Sequence, residues 1–283
     1  MGVVLMNAGE RSCRVAGRGE SADFVEALAR GLDVISAFSD VQPTMSLSEV
    51  ATATGLARPT AHRLLRTLAE LGFVRQDGSS FELTPKVLDL GYAYVSSLGL
   101  WEVAKRHLED LVRQTGESSS MAQLSGSDIV YMARVAVPKI IALRVEIGTR
   151  FPAAVTSQGK VLLASLDDEA LRRTLAIPSG SRVVTAQRSI DDLKEELKTV
   201  QVQGWAFANE ELAPGVRSIA APVRDGSGTV RAAVNVTVHA AETSLEELVD
   251  KHLPPLLAAA AKISADWKRL RDLPFEAIEE RID

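Results

Sequence analysis

Between Gly55 and Thr84 the chain reads GLARPTAHRLLRTLAELGFVRQDGSSFELT, and its apolar positions change period partway through. Ala61, Leu64, Leu65, Leu68 and Leu71 recur at the i, i+3, i+4, i+7 spacing of a helix with one buried stripe. Thr60, His62, Arg63, Arg66, Thr67 and Glu70 fall on the opposite arc, so basic and hydroxyl groups share its outward face. After Gly72, FVRQ and FELT are short strand-like runs around the turn DGSS, which predicts a two-stranded hairpin. Upstream, Ser46 and Glu49 have the spacing of a capping box, so a helix is expected from about Leu47, with Leu47, Val50 and Ala51 inward and Gly55 ending it. The next helix starts near Arg58, with Pro59 tolerated in its first turn. Phe24, Leu28, Leu32 and Ile35 give an earlier helix its expected inner stripe. A helix, two helices joined by a tight glycine turn, then a hairpin is the order of a winged helix-turn-helix.

The pattern continues as helix through KVLDLGYAYVSSLG, breaks at Gly99, and resumes in LWEVAKRHLEDLVRQTG. The first of these reads as a linker helix whose apolar surface exceeds what one helix needs. Leu88, Tyr92 and Val95, with stripe residues of the first helix, are therefore candidates for an interface between copies of the chain. Beyond Gly116, SSSMAQL, DIVYMARV, IIALRVEI, WAFANEE, VRSIAAPV and TVRAAVNVTVHA read as strands. TSQGKVLLASL, DDEALRRTLA and SIDDLKEELKTVQVQG read as helices, and a last helix is broken or offset near Pro254 and Pro255. Grouped strands with flanking helices predict an α+β domain around an antiparallel sheet. The expected organisation is a leader at 1–21, a winged domain at 22–85, a linker helix at 86–105, an effector domain at 106–272 and a tail at 273–283.

Composition adds bounds. The 283 residues suffice for two domains, and 46% hydrophobic with 24% charged residues is ordinary for a globular protein. No apolar run approaches a membrane span, and VVLM is too short for a signal-peptide core, so a cytoplasmic protein is expected. The single Cys13 excludes an intramolecular disulfide and a cysteine metal cluster. The formal net charge is −5, yet Arg58, Arg63, Arg66 and Arg75 stand in one stretch where Glu70 and Asp77 are the only acids up to Ser80. Phosphate binding depends on this local field rather than on the whole chain. Double-stranded DNA is thus the expected partner, read by Arg58, Thr60, His62, Arg63, Arg66 and Thr67 of the second helix. Arg75, Gln76, Ser79 and Ser80 of the hairpin are expected to approach the DNA backbone or minor groove.

Signs of catalysis are missing. SQGKVLLAS lacks the earlier glycine and the Ser/Thr of a P-loop, and GSG at 226–228 precedes a strand rather than a helix. His62, His107, His239 and His252 show no metal-ligand spacing, so no metal and no cofactor are expected. In TVRAAVNVTVHA, Val230, Ala232, Val234, Val236 and Val238 share one strand face, with Arg231, Ala233, Asn235, Thr237 and His239 on the other. That second face either lines a polar pocket, joined by Ser218, or is a solvated outer face. Strand phase does not decide whether Arg134 or Arg144 points inward.

Four segments together, SLSEVATATGLARPTAHRLLRTLAELGFV, LTPKVLDLG, TSQGKVLLA and ELAPGVRSIAAPVRDGSGTVRAAVNVT, resemble the IclR family of bacterial transcriptional regulators. GYAYVSSLGLWE, ESSSMAQLSGSDIVYMARV and GTRFPAAVTSQGKVLLA are similar to the branch governing protocatechuate, β-ketoadipate and 4-hydroxybenzoate catabolism. The resemblance implies an N-terminal winged helix-turn-helix, a linker helix, a C-terminal effector domain of GAF-like α+β fold, and dimers that can pair into tetramers. Carried over residue by residue, the family's effector contacts fall on Ser157, Gln158, Ser218, Asn235 and Thr237. An acidic pocket residue of some members aligns near Ala208 or Asn209. Ala208 departs from that pattern, which leaves Asn209 and weakens the case for a small keto acid such as glyoxylate or pyruvate. Some members have been linked to a metal, which the scarcity of His and Cys here does not support. The expectation is a ligand-responsive, DNA-binding homo-oligomer controlling aromatic-acid catabolic genes, with an aromatic acid or a dicarboxylate as effector. The alternative is an enzyme with a fused DNA-binding module.

Overall fold

The computed structural model describes residues 23–39, 41–91, 100–138, 145–181, 183 and 189–272. Cys13, Tyr92, Val95 and Arg144 lie outside them. The chain divides into two compact units, Met1–Ser97 and Leu98–Asp283. Among the described residues, no helix is long and apolar enough to cross a membrane.

The first unit contains α1 (Glu26–Ala37), β1 (Thr44–Ser46), α2 (Leu47–Thr54), α3 (Arg58–Glu70), β2 (Val74–Asp77) and β3 (Ser80–Leu83). The capping box forms as the spacing predicts: Glu49 N–H donates to Ser46 Oγ, and Ser46 N–H donates to Glu49 Oε2 at 2.7 Å. Gly55 then ends α2 with φ 66°, a left-handed conformation that glycine enters without steric cost. Val34, Met45, Val50, Ala61, Leu65, Val74 and Phe81 close one small core.

Three details differ from the sequence expectation. The wing has three strands, ordered β1-β3-β2, because Met45 is drawn into the core beside Phe81 and pairs its strand with β3. The inward face of α1 is carried by Val34, with Phe38 just beyond its end, while Phe24, Leu28 and Leu32 are exposed. Leu71 is exposed as well, since it caps α3 where the chain leaves helical phase.

The second unit is a helix–sheet–helix sandwich. Its sheet, ordered β6-β5-β4-β9-β8-β7, is antiparallel at every pairing. These strands are β4 (Ser118–Ser125), β5 (Asp128–Val135), β6 (Arg150–Pro152), β7 (Ala206–Asn209), β8 (Val216–Arg224) and β9 (Val230–His239). One face is covered by α4 (Leu100–Thr115) and a C-terminal helix, α8 (Leu253–Asp272), through Leu108, Leu111, Ile263 and Trp267. On the other lie α5 (Ser157–Leu163), α6 (Asp168–Ala176) and α7 (Ile190–Gln203), which contribute Leu162, Leu163, Leu171, Leu193 and Leu197. Both faces being covered, β8 and β9 read as nearly continuous small and apolar runs.

The observed α4 is continuous from Leu100 to Thr115, and Ala104 and Leu108 are buried in this core. The second unit therefore begins before the expected boundary at 105. Within IIALRVEI, residues 140–144 lie outside the described residues, and residues 145–147 are not in a strand. The edge beyond β5 is instead taken by β6. In β9, a register shift opposite Val223 and Arg224 turns Val230 onto the face of Ala233, away from Ala232 and Val234. The C-terminal irregularity is a π-turn at Leu248–His252, just ahead of Pro254 and Pro255. Neither proline has an N–H for the carbonyl four residues earlier, and a wider turn accommodates both.

Candidate functional site

The outward face of α3 carries Arg58, His62, Arg63, Arg66 and Thr67 exposed, with Thr60 half-buried. Ala61, Leu65 and Leu68 anchor the opposite side in the core. Within the described residues no carboxylate pairs with Arg58, Arg63 or Arg66, so their charge is available to a polyanion. Thr67 donates its hydroxyl to Arg63 O at 3.0 Å, which leaves its oxygen as an acceptor only. The wing is less free than its sequence suggests. Arg75 is paired across the hairpin with Glu82, its Nε donating at 2.6 Å, and Gln76 Nε2 donates to Gly78 O. Ser79 is exposed at the tip and Ser80 half-buried beside it.

In the second unit a pocket opens on the α5 side of the sheet. Thr156 positions one wall: its hydroxyl oxygen accepts from Gly159 N–H at 3.1 Å and caps α5, setting Ser157 and Gln158 in the first turn. Small side chains at Ala208 and Ser218 keep the sheet low there. Ser157 Oγ and Ser218 Oγ share a hydrogen bond of 2.8 Å. Asn235 is buried, accepts from Ser120 N–H at Oδ1 and donates from Nδ2 to Thr237 Oγ1 at 3.0 Å. Val145, Phe151, Val155, Leu212 and Val216 supply apolar walls. The rim loop holds Glu210 at φ 59°, fixed by its N–H to Val216 O and by Gly215 N–H to its own Oε2.

Five of the six expected pocket residues, Ser157, Gln158, Ser218, Asn235 and Thr237, come together here from three separate segments. Asn209 does not join them. Alternation along β7 turns Ala208 inward and Asn209 outward, where its Oδ1 accepts from Arg217 Nε at 2.8 Å. Among the lining residues left unassigned at the sequence level are Tyr131 and Arg134. A shift between Met121 and Ala122 in the β4–β5 pairing changes the strand phase there, so alternation alone did not place them. Arg134 donates from Nη1 to Ser120 Oγ at 3.1 Å, and burial pulls its guanidinium below the usual range. Tyr131 packs edge-on against Phe151, and burial pushes its phenol up to about 12, so it is a neutral donor at pH 7. An apolar cleft with a cation, neutral hydroxyls and fixed amides suits a small organic acid. Among the described residues no cluster of His, Cys, Asp or Glu could hold a metal ion.

Replacing Asn235 by Leu is expected to abolish the response to such an acid at nearly constant volume. It also strands the Ser120 N–H, so the second unit should lose ~1–3 kcal/mol of stability. Ligand titration and thermal melting of the same variant read both effects. A variant that responds like its parent removes Asn235 from the site.

Comparison with known proteins fixes the assignment. Residues 27–78 match the IclR helix-turn-helix domain, and residues 92–265 match the bacterial transcriptional regulator IclR C-terminal domain. The Pca regulon regulatory protein of Pseudomonas putida is 40% identical over 84% of this chain and 82% of its own. A crystal structure of a transcriptional regulator from Rhodococcus sp. RHA1 is 45% identical, covers 87% of this chain and 100% of that one, and superposes with a TM-score of 0.74. The inducer-binding domain of the PobR transcription factor from Acinetobacter, a double mutant in complex with 3-hydroxybenzoic acid, is 31% identical. It covers 58% of this chain and 97% of its own, with a TM-score of 0.52. The chain therefore belongs to the IclR family of bacterial transcriptional regulators, with its DNA-binding unit ahead of its effector-binding unit.

Proposed function

We propose that this regulator reads a DNA operator through α3 and the wing, and that a small aromatic acid in the second-unit pocket changes its operator affinity or activity. The genes it controls are those of aromatic-acid catabolism on the β-ketoadipate pathway. One observation carries the effector reading: Arg134, with no carboxylate partner among the described residues, shares a partly apolar cleft with Ser157, Gln158, Ser218, Asn235 and Thr237. The likeness to the Pca regulon regulatory protein of Pseudomonas putida and to the Acinetobacter domain that holds 3-hydroxybenzoic acid supports the same reading. On this reading the second unit, from about Leu98, is a GAF-like effector domain, preceded by a winged domain at 22–85 and a linker helix that begins at about 86. The protein acts in the cytoplasm as a homodimer or homotetramer. The exposed Leu28 and Leu32 of α1, with Leu88 and Leu90 of residues 87–91, supply apolar surface for that assembly.

Titrating the full chain with protocatechuate, 4-hydroxybenzoate and β-ketoadipate, with heat release and operator affinity followed together, tests the reading. The expected result is binding of at least one acid, with a coupled change at the operator. Arg63→Ala and Arg66→Ala should each cost ~1–3 kcal/mol of operator binding where they touch a base, and should weaken all sequences alike where they touch a phosphate. Comparing the native operator with random DNA separates the two roles. Parent-like binding of both variants to both DNAs would remove α3 as the reading helix.

A further inference from the structure

The segment LTPK at 83–86 follows the wing and leads into helical residues 87–91. It belongs neither to the outward face of α3 nor to the pocket, yet it takes up three consecutive backbone carbonyls where the chain leaves α3. Lys86 Nζ donates to Leu71 O at 2.9 Å, Thr84 Oγ1 donates to Gly72 O at 2.5 Å, and Thr84 N–H donates to Phe73 O at 2.9 Å. Thr84 also opens the next turn. Its carbonyl accepts from Val87 N–H at 3.2 Å, and its hydroxyl oxygen accepts from Lys86 N–H at 3.3 Å. The lysine lies in a shaped seat. Its ammonium stands over the Phe73 ring, 5.4 Å from the centroid, a cation–π distance. Its stem runs past Gly72, where a Cβ would stand 3.5 Å from Lys86 Cδ. α3 has a use for this cation. Its last turn holds Glu70 and no basic residue, so nothing within the helix answers the negative end of its dipole. Lys86 answers it from the start of the linker.

We infer that Lys86 and Thr84 are positioning residues for operator reading. They pin the C-terminal end of α3 to the wing and to the first turn of the linker, and so set how the helix meets the base edges. This rests on α3 being the reading helix and deepens that reading. Base contacts from Arg63 and Arg66 require the helix to be held to within roughly 0.5 Å. Phosphate contacts from the same arginines carry no sequence information and tolerate a looser pose. Loosening the pin therefore lowers sequence preference more than it lowers affinity for DNA as such.

The test uses the full-length protein and two duplexes of equal length, one selected by the parent from a random-sequence library and one unselected. Lys86→Met keeps the stem and removes the ammonium, while Thr84→Val keeps the shape and removes the hydroxyl. Each should weaken binding to the selected duplex about tenfold, the size of one lost base contact, and to the unselected duplex by less than about threefold. The slope of log affinity against log salt should stay at the parent's value, because the arginines that meet phosphate are untouched. Hydrogen exchange should quicken at the amides of Gly72, Phe73 and Thr84, whose bonds close the same junction. Thr84→Ser keeps the donor and should hold the parent's preference and exchange rates. A slope lowered by about one in Lys86→Met, with both duplexes weakened alike, would make the lysine a phosphate contact and overturn the inference. Parent-like preference in both variants would overturn it too, as would loss of preference in Thr84→Ser. Rapid exchange throughout the first unit would do the same, since the segment would then hold the fold together rather than the pose of α3. Arg63→Ala and Arg66→Ala run alongside. If they lose the preference while the Lys86 and Thr84 variants keep it, only the pin falls. If they keep it as well, or if the parent selects no sequence, α3 as reader falls with it.

Discussion

Gly159→Ala is expected to lower the melting temperature of the effector unit by roughly 6–12 °C, against the ordinary rule that alanine strengthens a helix. The propensity gain is about 1 kcal/mol. A Cβ at this position would stand 2.1 Å from Ala153 O, 2.4 Å from Ala153 Cα and 2.5 Å from its carbonyl carbon. These are backbone atoms of the short helical turn Ala153–Val155, which no rotamer change can move aside. The turn cannot retreat freely either, because Ala153 is fully buried and its N–H donates to Ser127 O at 2.9 Å. Overpacking against such a fixed surface costs ~4 kcal/mol, above the usual range because backbone atoms clash, which leaves ~3 kcal/mol net of propensity. A shift of that size also moves Ser157 and Gln158 out of register with β4 and β9, so acid binding should fall with stability. Differential scanning calorimetry of the parent and the variant decides it. A melt that matches the parent would mean α5 can lift off the turn without penalty.

The winged unit was largely legible because its signals are local. The capping box at Ser46 and Glu49, the turn at Gly55 and the stripe of α3 as far as Leu68 each act within a few residues, and each forms where the sequence places it. Strand β1 was not legible, since three residues carry no period and Ser46 already serves as the cap of α2. The stripe assigned to α1 held at Ile35 and failed at its other three positions for another reason. Phe24, Leu28 and Leu32 have helical spacing and apolar character, but periodicity says only that a face wants a partner, not that the same chain supplies it. In the effector unit, alternation on β9 separated Asn235 and Thr237 from the valines, and the fold assigns that face to the pocket rather than to solvent. Arg134 stayed hidden because a register irregularity lies between its strand and β4. Gly159 was read only as part of an incomplete phosphate loop, and its true constraint, contact with Ala153, spans a turn that sequence patterning does not resolve.

The lysine after that glycine leads to the second large effect. Lys160 has a fully buried side chain, and its ammonium has three partners for three hydrogens: Phe207 O at 3.1 Å, Glu211 Oε1 at 2.6 Å and Glu196 Oε1 at 2.7 Å. It thereby ties α5 to α7, to β7 and to the loop that carries Leu212 over the pocket. Lys160→Met should be destabilising despite its good fit in volume, because it removes the cation that Glu196 and Glu211 share and a donor to Phe207 O. Breaking a buried pair from one side typically costs ~3–5 kcal/mol. Here Glu196 and Glu211 keep side-chain exposures of 27% and 25%, so water offsets part of the loss and ~2–4 kcal/mol is the expected effect. The triple variant Lys160→Met, Glu196→Gln, Glu211→Gln removes the two carboxylate charges while keeping the shape, and should recover at least half of that stability. Urea denaturation of the three proteins, with acid affinity measured on each, separates charge from packing. If the single and triple variants are equally unstable, the lysine's worth lies in its packed stem and its bond to Phe207 O, and the ion pairs hold the pocket loop only incidentally.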